Sequence, residues 1–270
     1  MKRANAAVLV VLLALGAEAQ DKKDADKIGK DKAPVILKKA LAEVQKKKGS
    51  AISESAELSA GPQRLPPSTY DGVLRKDFAA VKGSAEVYAR GSTYLVNLGG
   101  RFDPPDKVEG ADAAGAQNFK NPSVLFDELN KIASAPQFGP DEMVDGKDCK
   151  VVDVAADPAM LKQQLKEFGD RLNKSMAAQL GFGGTQIFDM KNAMDEKASM
   201  ATYHVCVGKD DLLIYRIDYT IRPKIKPGAL PGPFRLPQDM DQKVEVKFSK
   251  WDEDVAFDIP GLIKTKWGIK

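Results

Sequence analysis

The stretch Thr202–Ile225, TYHVCVGKDDLLIYRIDYTIRPKI, decides the fold. It reads as two long antiparallel strands joined by the polar turn Gly208-Lys209-Asp210-Asp211. On the second strand Leu213, Tyr215, Ile217, Tyr219 and Ile221 fall on one face. Leu212, Ile214, Arg216, Asp218, Thr220 and Arg222 fall on the other. Period-2 alternation buries the first set and leaves most of the second in water. A third strand follows the same rule, with Val244, Val246 and Phe248 alternating with Lys243, Glu245, Lys247 and Ser249. A sheet with one dry and one wet face is normally antiparallel, and its dry face needs a cover.

Upstream, the chain supplies candidates for that cover. Pro34 suits the first turn of a helix over Ala33–Lys48, with Leu37, Ala40, Leu41 and Val44 on one face. Asn121-Pro122 can cap and start a second helix running to Ala133 and burying Leu125, Leu129 and Ile132. Asp157-Pro158 opens the strongest helix pattern, in which Leu161, Leu165, Phe168, Leu172, Met176 and Leu180 recur at spacings of three and four. That stripe is expected to be the main cover of the sheet. Between the helices, Ile52–Leu58, Phe78–Val81, Ala85–Arg90 and Tyr94–Leu98 read as the short strands of a meander. Gln137–Val144 and Cys149–Val154 read as a further hairpin around Asp145-Gly146. The loop Pro227–Pro237 carries Leu230, Phe234 and Leu236, which either fold back on the core or form a lip over a cavity.

The first residues set the compartment. Lys2 and Arg3, the apolar run Ala6–Leu15 and the small-residue site Ala17-Glu18-Ala19 have the layout of a secretory signal peptide over residues 1–19. The apolar run is shorter than the ~20 residues that span a bilayer. No other stretch is apolar enough, so stable membrane insertion is not expected. Residues 20–32 are almost wholly charged and read as a disordered leader, leaving 33–270 as one domain. The simplest destination is a bacterial periplasm. Net charge is +3 with Lys2 and Arg3 included, which gives no electrostatic case for nucleic acid. In an oxidising compartment the two cysteines, Cys149 and Cys206, are expected to form a disulfide.

No catalytic set stands out, and the chain reads as non-enzymatic. There is no Gly-x-Ser-x-Gly elbow, and His204, the only histidine, sits in a strand. The Gly181-Phe182-Gly183-Gly184 cluster follows a helix instead of leading into one, with no Lys-Ser/Thr pair after it, so it reads as a helix stop. Asp210-Asp211 and Asp252-Glu253-Asp254 read as solvated turns. No cofactor or metal site is expected, because no Cys-x-x-Cys spacing accompanies the single histidine.

Export signal, N-terminal helix, meander, inserted helices and long closing strands together resemble the periplasmic lipoprotein-carrier (LolA/LolB-like) superfamily and its relatives, the LppX/LprG-type lipid-binding lipoproteins. The hairpin Tyr203–Ile221 and the ending Val244–Pro260, a strand running into the Trp251-Asp252-Glu253-Asp254 turn, carry the resemblance. The chain departs from the lipoprotein members in lacking a lipobox cysteine directly after its apolar run and in carrying the Pro227–Pro237 loop. The resemblance implies an α+β fold: a curved antiparallel sheet, or unclosed barrel, with helices covering the concave face over an acyl-chain cavity. The expected wall is Leu213, Tyr215, Ile217, Tyr219, Ile221, Val246 and Phe248, and the expected lid Leu125, Leu129 and Phe168. The expected partner is a lipid or an acylated protein. The alternative is a secreted β-rich interaction module with a filled core.

Overall fold

The computed structural model describes residues 32–60, 63–64, 67–108, 116, 118–132, 135–179, 193–229 and 240–269. The expected signal peptide, nearly all of the charged leader, Gly181–Gly184 and most of the Pro227–Pro237 loop lie outside the described residues.

Among the described residues, thirteen strands form one sheet in which every pairing is antiparallel. The first half contributes β1 (Ser50–Ala60), β2 (Gln63–Arg64), β3 (Ser68–Arg75), β4 (Phe78–Gly83), β5 (Val87–Arg90), β6 (Thr93–Leu98) and β7 (Arg101–Asp103). The second contributes β8 (Gln137–Phe138), β9 (Glu142–Val144), β10 (Lys147–Ala155), β11 (Met200–Gly208), β12 (Ile214–Arg222) and β13 (Met240–Ser249). Along the sheet the order is β7-β6-β5-β4-β3-β1-β13-β12-β11-β10-β8, with β2 beside β1 and β9 beside β10. The path ends on different edge strands, so the sheet stays open. The expected curved α+β sheet is therefore present. Sequence patterning omits β3, although it alternates well: Ser68, Tyr70, Val73 and Leu74 are buried and Thr69 and Asp71 exposed.

Helix α1 (Ala33–Lys46) buries Ala33, Ile36, Leu37, Ala40, Leu41 and Val44, the face its spacing promises. It lies against β11, β12 and β8 and against α2 (Pro122–Lys131). Asn121 caps α2: its Oδ1 accepts from the Ser123 amide at 3.1 Å while its Nδ2 donates to the Asp77 and Gly91 carbonyls, each at 3.0 Å. The cap thereby ties the helix start to two turns of the meander. Asp157 caps α3 (Pro158–Gln179) by accepting from the Met160 amide at 2.9 Å. From α3, Leu161, Leu165 and Phe168 join the same core as the sheet, while the side chains of Leu172 and Met176 lie outside the described ones. The cover is thus shared, with α1 more central to it than the α3 stripe suggests.

The other face is dry over part of its width. Val73, Phe78, Ala80, Tyr88 and Leu95 form a second cluster there with Ile259 and Ile263. Ile263 belongs to α4 (Gly261–Trp267), an element the sequence pattern missed. The segment 254–260 that precedes α4 forms neither helix nor strand.

Two expectations for the central hairpin are corrected. Leu213 and Tyr215 do not share a face with Ile217, Tyr219 and Ile221; they pack in a third cluster with Cys149, Val151 and Cys206. Ile214, assigned to the wet face, is wholly buried on the helix-covered side. The cause is local. Leu212 takes a left-handed conformation, φ 61°. A bulge then lets Val207 pair with Ile214 while Cys206 pairs with Arg216. One extra residue in a strand inverts every side chain beyond it.

The expected Cys149–Cys206 disulfide is likewise not formed: both thiols are free and buried. Cys149 pairs with Gly208 and Cys206 with Val151, so the cysteines are diagonal neighbours. Diagonal positions sit ~7–8 Å apart, beyond the usual reach of a disulfide. Burial pushes the Cys206 thiol up to about 12 and the Cys149 thiol up to about 11.

Two outcomes follow. Thiolates are the reactive form, so a thiol reagent at mildly alkaline pH should label native protein slowly and label both cysteines promptly in denaturant; a native intact mass showing an internal disulfide would contradict the geometry. Ile36→Ala on α1 and Leu165→Ala on α3 should each lower unfolding free energy in urea by about 2–5 kcal/mol, the usual cost of emptying a packed site. A loss within ~0.5 kcal/mol at either position would mean that the helix does not pack as described.

Candidate functional site

The helix-covered face joins residues from most of the chain. Ile217, Tyr219 and Ile221 on β12, Val246 and Phe248 on β13, Leu125 and Leu129 on α2 and Phe168 on α3 all fall in one buried cluster. Eight of the ten expected wall and lid residues are thus brought together. Leu213 and Tyr215 are the exceptions. Tyr215 donates its hydroxyl to Asp211 at 2.6 Å, and Asp211 also accepts from the Leu213 amide at 3.0 Å. These side chains hold the hairpin turn together on the far face.

A polar chain that the sequence reading missed threads through this apolar interior. Glu54 occupies the β1 position between Ile52 and Ala56, both in the main cluster, and it faces Tyr70 and Val246 across the strand pairs. It is only 1% exposed. Its Oε1 accepts from the Lys120 amide at 3.2 Å, and its Oε2 is buried without a hydrogen-bond partner. The Lys120 ammonium reaches both oxygens of Glu128 on α2, at 2.6 and 2.8 Å, and lies 5.5 Å from the Tyr219 ring centroid. Tyr203 on β11 donates to Glu128 at 3.2 Å and accepts from the amide nitrogen of Gln164 on α3. Gln164 is itself buried, and its Oε1 has no partner. One chain of contacts therefore links β1, α2, β11 and α3.

The electrostatics follow from burial. A carboxyl removed from water with one backbone donor is stabilised in its neutral form. Desolvation accordingly raises Glu54 well above the ordinary glutamate range, opposed by the Lys120 amide bond and the Lys120 charge. Burial and the neighbouring Glu128 charge raise the Tyr203 phenol, so it remains a donor. Glu54 could have been noticed from its place on the dry row Ile52-Glu54-Ala56, and Gln164 from its place inside the Leu161–Phe168 stripe. Lys120 and Glu128 carry no such signal.

Two clefts open elsewhere. One of about 400 Å³ lies along α3 beside Met194 and Glu196, and one of about 300 Å³ lies beside Gly49, Arg75 and Asp254. Charged side chains line much of both. Among the described residues no helix is long and apolar enough to cross a membrane.

No protein-family model matches the chain, and no curated protein matches it. Solved structures do resemble it. The lipoprotein LppX of Mycobacterium tuberculosis is 12% identical over 83% of this chain and 99% of its own, with a TM-score of 0.40. LprF from Mycobacterium bovis is 13% identical over 84% and 96%, also at 0.40. A LolA superfamily protein from Nitrosomonas europaea is 11% identical over 86% and 97%, at 0.28. The likeness is distant in each case.

The raised Glu54 carboxyl has a measurable consequence. Above the ordinary glutamate value of 4.5 the unfolded chain releases a proton that the folded chain keeps. The folded state binds more protons, so this contribution is full below that value and is lost as pH rises through the folded-state value. Urea unfolding at stepped pH should show wild-type stability declining, relative to Glu54→Gln, as pH rises above about 4.5. Parallel pH curves for the two proteins would place an ionised carboxylate at Glu54.

Proposed function

We propose that the protein binds or carries a lipid or a lipidated protein, without catalysis, on the helix-covered face of its sheet, in a periplasm. One observation carries the reading. The broad open sheet presents a continuous apolar row, Ile217, Tyr219 and Ile221 lengthened by Val244, Val246 and Phe248. Separate helices roof it, not one continuous layer. Surfaces of this kind are where apolar ligands lodge between sheet and cover. Export rests on the signal-like residues 1–19.

A second reading, an interaction module with a filled core, is favoured by the packing itself. Leu125, Leu129, Phe168, Ile217 and Val246 are each no more than 3% exposed. Protein interiors are normally close-packed. The two readings part on ligand uptake. A fluorescent long-chain acyl probe, offered as the acid and as its glycerol ester, should bind saturably. Ile217→Trp, which adds bulk to the middle of the row, should weaken binding about tenfold, roughly the loss of 1.4 kcal/mol. If neither probe binds, or if a folded Ile217→Trp protein binds as well as wild type, the filled-core reading replaces the carrier. Mass spectrometry of organic extracts from protein purified from its native host would identify the natural ligand.

A further inference from the structure

The interior network ends on two oxygens that have no hydrogen-bond partner among the described residues, Glu54 Oε2 and Gln164 Oε1. Both residues are at least nine-tenths buried; Glu54 lies on the apolar row of the sheet that the carrier reading assigns to the ligand, and Gln164 on the covering helix α3, bonded to Tyr203 of that face. Buried polar atoms in folded proteins are nearly always paired, so an orphan on a binding face marks where a missing group belongs. We propose, resting on that reading, that Glu54 and Gln164 receive the polar end of the ligand, and that this end is uncharged and bears a hydroxyl, as in a partial ester of a polyol.

The chemistry of the four groups sets this preference. Lys120 is the one cation of the network among the described residues, and both of its short contacts go to Glu128. An acyl chain ending in carboxylate or phosphate would therefore enter without a counter-charge, beside one carboxylate and one buried carboxyl. Desolvating an unpaired anion is among the costliest events in an interior. Glu54, neutral because it is buried, carries an O–H donor on its unpaired side. Gln164 has already used an N–H on Tyr203 and offers its carbonyl oxygen, a pure acceptor. A hydroxyl both accepts and donates, so polyol hydroxyls can satisfy the two ends, whereas a hydrocarbon can satisfy neither.

The test uses the full chain and one labelled acyl chain with three ends: glycerol monoester, carboxylate and phosphate. The glycerol ester should bind at least about tenfold more tightly than either anion, a difference of the size that leaving a buried polar group unpaired produces. Glu54→Leu should weaken glycerol-ester binding about tenfold while leaving the carboxylate probe no weaker, and Glu54→Gln, which keeps a neutral donor, should bind the ester as wild type does. Gln164→Leu serves as an independent variant and should reproduce the loss. A cooperative melt for each variant guards against misfolding. If all three probes bind wild type equally, or if both leucine variants keep the preference, the head-group assignment falls while carriage stands. If no probe binds wild type, both fall together.

Discussion

β1 and β13 pair over their length, from Ala51 with Ser249 to Ala60 with Met240, across almost the whole chain. Everything else hangs on this ladder. On one side of it β3 to β7 follow as a local meander, and on the other β12, β11 and β10 follow as antiparallel neighbours, with α3 lying in the chain between β10 and β11. Without the ladder these would be two smaller sheets, each with a further exposed edge open to wrong pairing. The ladder also places Ile52 and Ala56 opposite Phe248 and Val244, which makes the two apolar rows one surface. Contacts this distant in sequence are slow to form, because the intervening loop must be closed first. The turn after β13 reinforces the junction. Trp251 stacks on Phe248 at 5.6 Å and donates to the Ile214 carbonyl at 3.1 Å. Asp252 accepts from the Lys48 amide at 2.7 Å, just before β1 begins.

A surface joined in this way needs a roof, and the roof is attached by two kinds of force. Apolar burial of Ile36, Leu125 and Phe168 supplies most of the stabilisation and has no direction. The polar chain from Glu54 through Lys120, Glu128 and Tyr203 to Gln164 supplies direction, because its hydrogen bonds run between particular groups on β1, α2, β11 and α3. A buried ion pair contributes little net stability compared with apolar side chains of the same volume, yet breaking it by removing one partner is expensive. The network therefore fixes where α2 and α3 sit on the sheet more than it adds to the stability of the fold.

How much of this the sequence discloses depends on whether a feature is periodic. α1, α2 and α3 were legible because each pairs a capping or proline start with a stripe of apolar residues. The β11–β12–β13 core was legible because Ile217, Tyr219, Ile221, Val244 and Val246 alternate without interruption. Leu213 and Tyr215 were misplaced because alternation counts positions, and a bulge beside a left-handed Leu212 adds one without altering the residue pattern. The disulfide failed for a related reason. Strand surroundings place two cysteines on neighbouring strands, but only the register says whether they are opposed or diagonal. β3 was hidden between a proline-rich break and a turn, and α4 was too short to show a stripe. Glu54 and Gln164 were visible only as interruptions of otherwise apolar rows.

Those interruptions hold the most functional information in the chain. Packing alone does not call for a glutamate at the centre of the dry row: a leucine there would avoid the cost of desolvation and leave no orphan oxygen, and the bond from the Lys120 amide uses only one of the two carboxyl oxygens. A carrier of plain hydrocarbon has no use for it either. The proposed ligand would bring Glu54 Oε2 a matching polar atom, and that same atom would fix the depth and direction in which an acyl chain lies. The side chains around it are apolar and tolerant of chain length, so they bind without choosing, whereas a single buried hydrogen bond discriminates because its absence is costly. In the proposed carrier, affinity would reside in the row from Ile217 to Phe248, and selectivity in the two oxygens of Glu54 and Gln164.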